Sequence, residues 1–138
     1  MSDTHTLRGL TTVSFYAADL AAAKKWYTEL LDIEPYFQVP GYIEFRLGDY
    51  QHELGVIDSR YAPAGSAPGS AGAVVYWHVD DVRAMREKLL SLGTREYQAP
   101  TDRGEGFVTA SVVDPFGNIL GIMSNPHYLQ VLEAVKKG

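Results

Sequence analysis

The chain has 138 residues, a formal net charge of −5 at pH 7, 46% hydrophobic and 21% charged residues, and no cysteine. That length suits one compact domain or two small halves sharing a core, and the missing cysteine removes disulfides, thiolate metal sites and thiol nucleophiles. No basic stripe offers itself to phosphates, which argues against nucleic acid as a partner, and no apolar run approaches the roughly 20 residues of a membrane span.

The first nine residues read as a loose polar arm without the apolar core of a signal peptide, so a cytoplasmic location is the expectation. From Leu10 to Ala17 the pattern has a period of two and predicts a strand. Val13, Phe15 and Ala17 lie on one face and Thr12, Ser14 and Tyr16 on the other. Asp19 stands where a helix N-cap belongs. Leu20, Ala23, Tyr27 and Leu30 then form one apolar stripe of a helix to about Leu31. Three short strands follow, over residues 36–39, 42–47 and 53–57, separated by the turn pairs Pro40-Gly41 and Gly48-Asp49.

Residues 61–72 are dense in Gly, Pro, Ala and Ser and read as a flexible linker, with a lid over a pocket as the alternative. A strand over 73–79 and a helix over 81–92 come next. The helix stripe is Val82, Met85, Leu89 and Leu92, and Gly93 is placed to end it. Strands over 95–98, 106–113 and 118–123 complete the second half, with a tight turn at 114–118. Residues 103–106 read as a loop at the groove mouth, and 127–137 as a terminal helix with Leu129, Leu132 and Val135 on its apolar side.

The second half therefore repeats the first. The helix stripes are offset by 62 positions, and Leu54-Gly55-Val56-Ile57 matches Leu120-Gly121-Ile122-Met123 at an offset of 66. The expected fold is α+β: two βαβββ modules in tandem, about 10–58 and 73–124, within a single domain whose paired sheets enclose a groove.

This doubled plan, with Val-Asp-Asp-Val at 79–82 and Asp-Pro-Phe-Gly-Asn at 114–118, resembles the vicinal oxygen chelate superfamily. That group includes glyoxalase I, extradiol dioxygenases, fosfomycin-resistance enzymes and bleomycin-resistance proteins. The resemblance implies four metal-ligand positions, which fall on Thr12, Gly55, Val74 and Gly121. None of these is a usual ligand for a divalent cation. The resemblance thus points to the metal-free branch, with no metal and no cofactor. The two glycines suit either a widened groove or an eased sheet curvature. It also implies a homodimer, with grooves often completed across subunits.

Counting by twos from those positions assigns a groove face. The expected ligand-binding residues there are Thr12, Ser14 and Tyr16 on the first strand, Glu44 and Arg46 on a middle strand, and Glu53, Tyr76, His78 and Met123. Tyr16 and Tyr76, read as near-symmetric, suit stacking on a ligand, and Arg46 suits an anionic group. His78 beside Glu53 is the candidate for acid–base chemistry. His52 is expected to face away from the groove if Glu53 faces in. The functional expectation is metal-independent binding of a small organic molecule. The alternative is a glyoxalase- or dioxygenase-like enzyme with a metal held by His78, Glu53 and Glu44.

Overall fold

A computed structural model describes residues 5, 8–63 and 74–138, so most of the expected N-terminal arm and of the 61–72 linker lies outside the described residues. The first module comprises β1 (Thr12–Ala17), α1 (Leu20–Leu31), β2 (Phe37–Val39), β3 (Tyr42–Leu47) and β4 (His52–Asp58). The second comprises β5 (Val75–His78), α2 (Val82–Ser91), β6 (Arg95–Gly104), β7 (Phe107–Val113) and β8 (Ile119–Ser124), followed by α3 (Pro126–Lys137). The sheets have the same order, β1-β4-β3-β2 and β5-β8-β7-β6, and in each the first strand is parallel to the last. The α+β tandem plan is thus present in full.

The helices begin where the sequence caps them. The carboxylate of Asp19 accepts from Ala22 N and that of Asp81 from Ala84 N, both at 3.0 Å, satisfying donors that a first turn leaves open. Asn125 caps α3 in the same way through Tyr128 N. Asp32 ends α1 in the left-handed region at φ 56°, and Gly93 turns the chain after α2 at φ 93°.

Cross-strand pairing fixes the faces. Val13, Leu54 and Phe45 are in register, as are Phe15, Val56 and Ile43. In the second sheet Val75 pairs with Leu120 and Trp77 with Ile122. These side chains turn toward α1 and α2 and supply one core drawn from both modules, with Tyr27, Phe45, Leu54, Leu89, Val56 and Val112 essentially sealed from solvent. Each fully buried Leu or Phe contributes about 1.5–3 kcal/mol. The opposite faces carry Thr12, Ser14 and Glu53 in one sheet and Tyr76, Gly121 and Ser111 in the other.

Two details differ from the sequence reading. Strand β6 continues past Gln98 to Gly104 despite Pro100, because it is an edge strand whose register shifts absorb the irregularity. Of residues 103–106, Arg103 and Gly104 end β6 and Glu105-Gly106 make the β6–β7 turn, with Gly104, Glu105 and Gly106 all at positive φ. The register also revises the symmetry. Tyr16 pairs with Ile57 and His78 with Met123, so the counterpart of Tyr16 is His78 and that of Tyr76 is Ser14.

Candidate functional site

The two module junctions ought to be equivalent, and they are not. At the first, the 114–118 turn seals the core. Asp114, 3% exposed, accepts at Oδ1 from Phe116 N at 2.9 Å and Asn118 N at 2.8 Å. Its Oδ2 accepts from the Tyr27 hydroxyl and from Asn118 Nδ2. Asn118 also bridges to β1, donating to Tyr16 O at 2.9 Å and accepting from Tyr16 N at 3.4 Å. Trp26 Nε1 donates to Leu92 O at 2.7 Å across the modules. Burial, and then the Asp114 carboxylate, hold the Tyr27 hydroxyl above its ordinary pKa.

At the second junction the offsets of 66 and 62 put Gly48 in place of Asp114, His52 in place of Asn118 and Leu89 in place of Tyr27. The carboxylate and the hydroxyl that close the first junction are both missing. A cavity of about 360 Å³ lies there, bounded by the start of β1, the β3–β4 turn, β5, β8 and the end of α1. Its walls are mainly apolar: Val13, Leu30, Leu54, Trp77, Leu120 and Ile122, with Met85 reaching in from α2.

Glu53 Oε1 accepts from Thr12 Oγ1 at 2.6 Å, while Arg46 stands 3.9 Å from Glu53 Oε2 and 3.8 Å over the Tyr36 ring. At that length and exposure the ion pair contributes little. The imidazole of His78 stacks on Tyr128 with ring centroids 4.7 Å apart and planes 8° from parallel. Tyr128 donates to Asp49 Oδ2 at 2.8 Å, tying α3 to the β3–β4 turn. Burial and then that hydrogen bond push its hydroxyl up to about 12. Since no residue of α3 is buried, this tie and the ring contacts of Tyr128 with His78 and Tyr50 anchor its first turn.

The four positions at which the family carries metal ligands do not fit a metal here. The hydroxyl of Thr12 is spent on Glu53, Val74 has no donor atom in its side chain, and the remaining two are glycines. Nor is the space above those glycines free. A Cβ on Gly55 would stand 2.6 Å from the Tyr42 hydroxyl, and one on Gly121 would stand 2.7 Å from the Tyr76 ring. The glycines therefore admit tyrosine rings rather than widen the groove. Tyr42 donates to Glu44 at 2.6 Å, and burial followed by Glu44 raises its hydroxyl well above the usual range. Among the described residues no group of three or more His, Asp or Glu side chains is placed to hold a metal ion.

Of the residues expected to bind ligand, Thr12, Glu53, Tyr76, His78 and Met123 line the cavity. Ser14, Tyr16, Glu44 and Arg46 lie outside its wall, on or beside the open sheet face. His78 and Glu53 line the same cavity but share no hydrogen bond: His78 bonds to Asn125 N and Glu53 to Thr12. Glu44 is held by Tyr42, so the three-residue metal set of the enzymatic alternative is not assembled. His52 lines the cavity alongside Glu53, because at the first residue of β4 the cavity wraps round the sheet end and meets both faces. Tyr128, Asn125 and Trp77 were not among the expected site residues.

The profile of the Glyoxalase/Bleomycin resistance protein/Dioxygenase superfamily matches residues 9–122, and the chain belongs to that superfamily. No curated protein matches the sequence. Among solved structures, a glyoxalase-related enzyme from Fulvimarina pelagi is similar at 22% identity and a TM-score of 0.67, over 87% of this chain and 90% of that one. A lactoylglutathione lyase from Agrobacterium tumefaciens is similar at 22% identity and 0.63, over 85% and 93%. The bleomycin resistance determinant encoded on transposon Tn5 is similar at 23% identity and 0.62, over 86% and 99%. These likenesses show the shared fold.

Proposed function

We propose that this chain binds a small, largely apolar organic molecule in the intermodule cavity, without a metal ion. The cavity itself carries the reading. Its volume of about 360 Å³ falls in the range of small-molecule sites, roughly 300–1,000 Å³, and it has their usual make-up of apolar walls with a few polar groups. Metal independence is supported by the donor chemistry. Two glycines under tyrosine rings, a valine and an engaged threonine offer no ligand set.

The test is a titration with a neutral solvatochromic naphthalene, 2-(dimethylamino)-6-propionylnaphthalene, followed by its own emission. One saturable site per chain is expected, and Met85→Trp, which puts an indole into the cavity, should weaken binding at least about tenfold. Binding that is unsaturable, or indifferent to Met85→Trp, would place the probe elsewhere and sink the reading.

The proposal extends to a homodimer. Tyr36, Phe37 and Val39 on and beside β2, and Tyr76 and Tyr97 on the second sheet, are exposed apolar side chains of the kind an interface covers. Light scattering should give twice the chain mass of 15.2 kDa, and the single-chain mass across the micromolar range would contradict it.

A further inference from the structure

The walls of the cavity differ in how firmly they are held. Strands β1, β4, β5 and β8 are laddered into their sheets. Helix α1 is pinned by the buried Tyr27 and Leu30, and α2 by Val82 and Leu89. Helix α3 borders the same cavity through its cap Asn125 and through Tyr128, yet it buries no residue. Its start is seated. Asn125 N–H donates to His78 Nδ1 at 3.2 Å, and Pro126 packs so close to Gly106 that a Cβ there would meet its Cγ at 3.0 Å. Beyond that seat the Tyr128 ring lies across the junction. It stacks on His78 of the second module, meets Tyr50 of the first edge to face at 5.8 Å, and donates its O–H to Asp49 at 2.8 Å.

The repeat shows what this contact replaces. Trp26 donates to Leu92 O at the first junction, and its counterpart at an offset of 62 is Lys88, which donates to Leu30 O at 3.4 Å at the second. The buried network of Asp114 has no such counterpart, and the bond from Tyr128 to Asp49 joins the modules beside the cavity instead. That bond is exposed, so water competes for both groups and breaking it costs little. A wall built of sheet or core opens only by local unfolding. Resting on the cavity reading above, we infer that α3 is a hinged lid pivoting about residues 124–126, and that the Tyr128–Asp49 hydrogen bond is the latch that sets how fast a ligand enters and leaves.

Stopped-flow mixing with the naphthalene ketone named above reads both rate constants on the intact chain. Tyr128→Phe keeps the ring on His78 and removes the O–H, while Asp49→Ala removes the acceptor. Each should raise the association and dissociation rates together, by about five- to tenfold, and the double variant should go no further than either alone. Asp49→Asn keeps an acceptor oxygen and should hold both rates within about threefold of wild type. A side chain that merely touches the ligand moves dissociation and leaves association in place. A second readout needs no ligand: Tyr128→Phe should speed deuterium exchange of the α3 amides at least about fivefold and leave those of α1 as they were. Unchanged association in Tyr128→Phe, additive effects in the double variant, Asp49→Asn as fast as Asp49→Ala, or α3 exchange indifferent to Tyr128→Phe would each overturn the inference while leaving the cavity reading in place. Failure of the ketone to bind wild-type protein would remove the cavity reading and this inference with it.

Discussion

Asp114→Ala should destabilise the fold by about 3–5 kcal/mol, more than any other single polar substitution proposed here. The carboxylate is 3% exposed and serves two backbone N–H groups, the Asn118 amide and the Tyr27 hydroxyl. Alanine removes the acceptor shared by all four donors and leaves the buried Tyr27 hydroxyl without a partner. The turn carrying Asn118 would then lose its hold on β1, loosening one module against the other. Tyr27→Phe removes a single partner and should cost about 1–2 kcal/mol. Urea unfolding followed by circular dichroism measures both. A loss under about 1 kcal/mol for Asp114→Ala would mean that the turn is held by its backbone alone.

Gly121→Glu restores, at one position, the kind of side chain the family's metal enzymes use. It should destabilise the protein by about 2–4 kcal/mol, as expected for overpacking. A Cβ there would stand 2.7 Å from the backbone oxygen of Val75 and 2.7 Å from the Tyr76 ring, and the oxygen belongs to the neighbouring strand and has little room to move. No gain in zinc or nickel affinity is expected, since Thr12, Gly55 and Val74 bring no strong donor to complete a site. Wild-type stability together with a new metal site would show that Tyr76 is a loose flap over a latent ligand cage, contrary to the account above.

The architecture was legible because it is written twice. Asp19 and Asp81 cap helices whose apolar stripes share one spacing, and the pattern of alternating faces sorted Val13, Phe15 and Leu54 from Thr12, Ser14 and Glu53 as the paired strands do. Periodicity says which face is buried, but it does not say whether the space behind that face is filled. Val13, Trp77, Leu120 and Ile122 therefore read as ordinary core, although part of what they face is a cavity. The clue was the inequality of the two repeats at Gly48 against Asp114 and Leu89 against Tyr27, which becomes meaningful only once the turns are seen to meet the opposite module. The bond from Tyr27 to Asp114 spans 87 residues and leaves no local trace. The tyrosines over Gly55 and Gly121 were hidden for a related reason. Glycine announces room, and its neighbours Tyr42 and Tyr76 take that room from the same sheet face. Tyr128 carries no signal in the sequence because α3 buries no residue, so its contribution comes from one ring and one hydroxyl.

The most direct test of a metal-independent binding cavity is the naphthalene ketone titration repeated on protein stripped with EDTA, with metal content measured on the same sample. An unchanged affinity, one site per chain and no recovery needed from added zinc, nickel or manganese are expected. Loss of binding on chelation and its return with a stoichiometric divalent ion would contradict it.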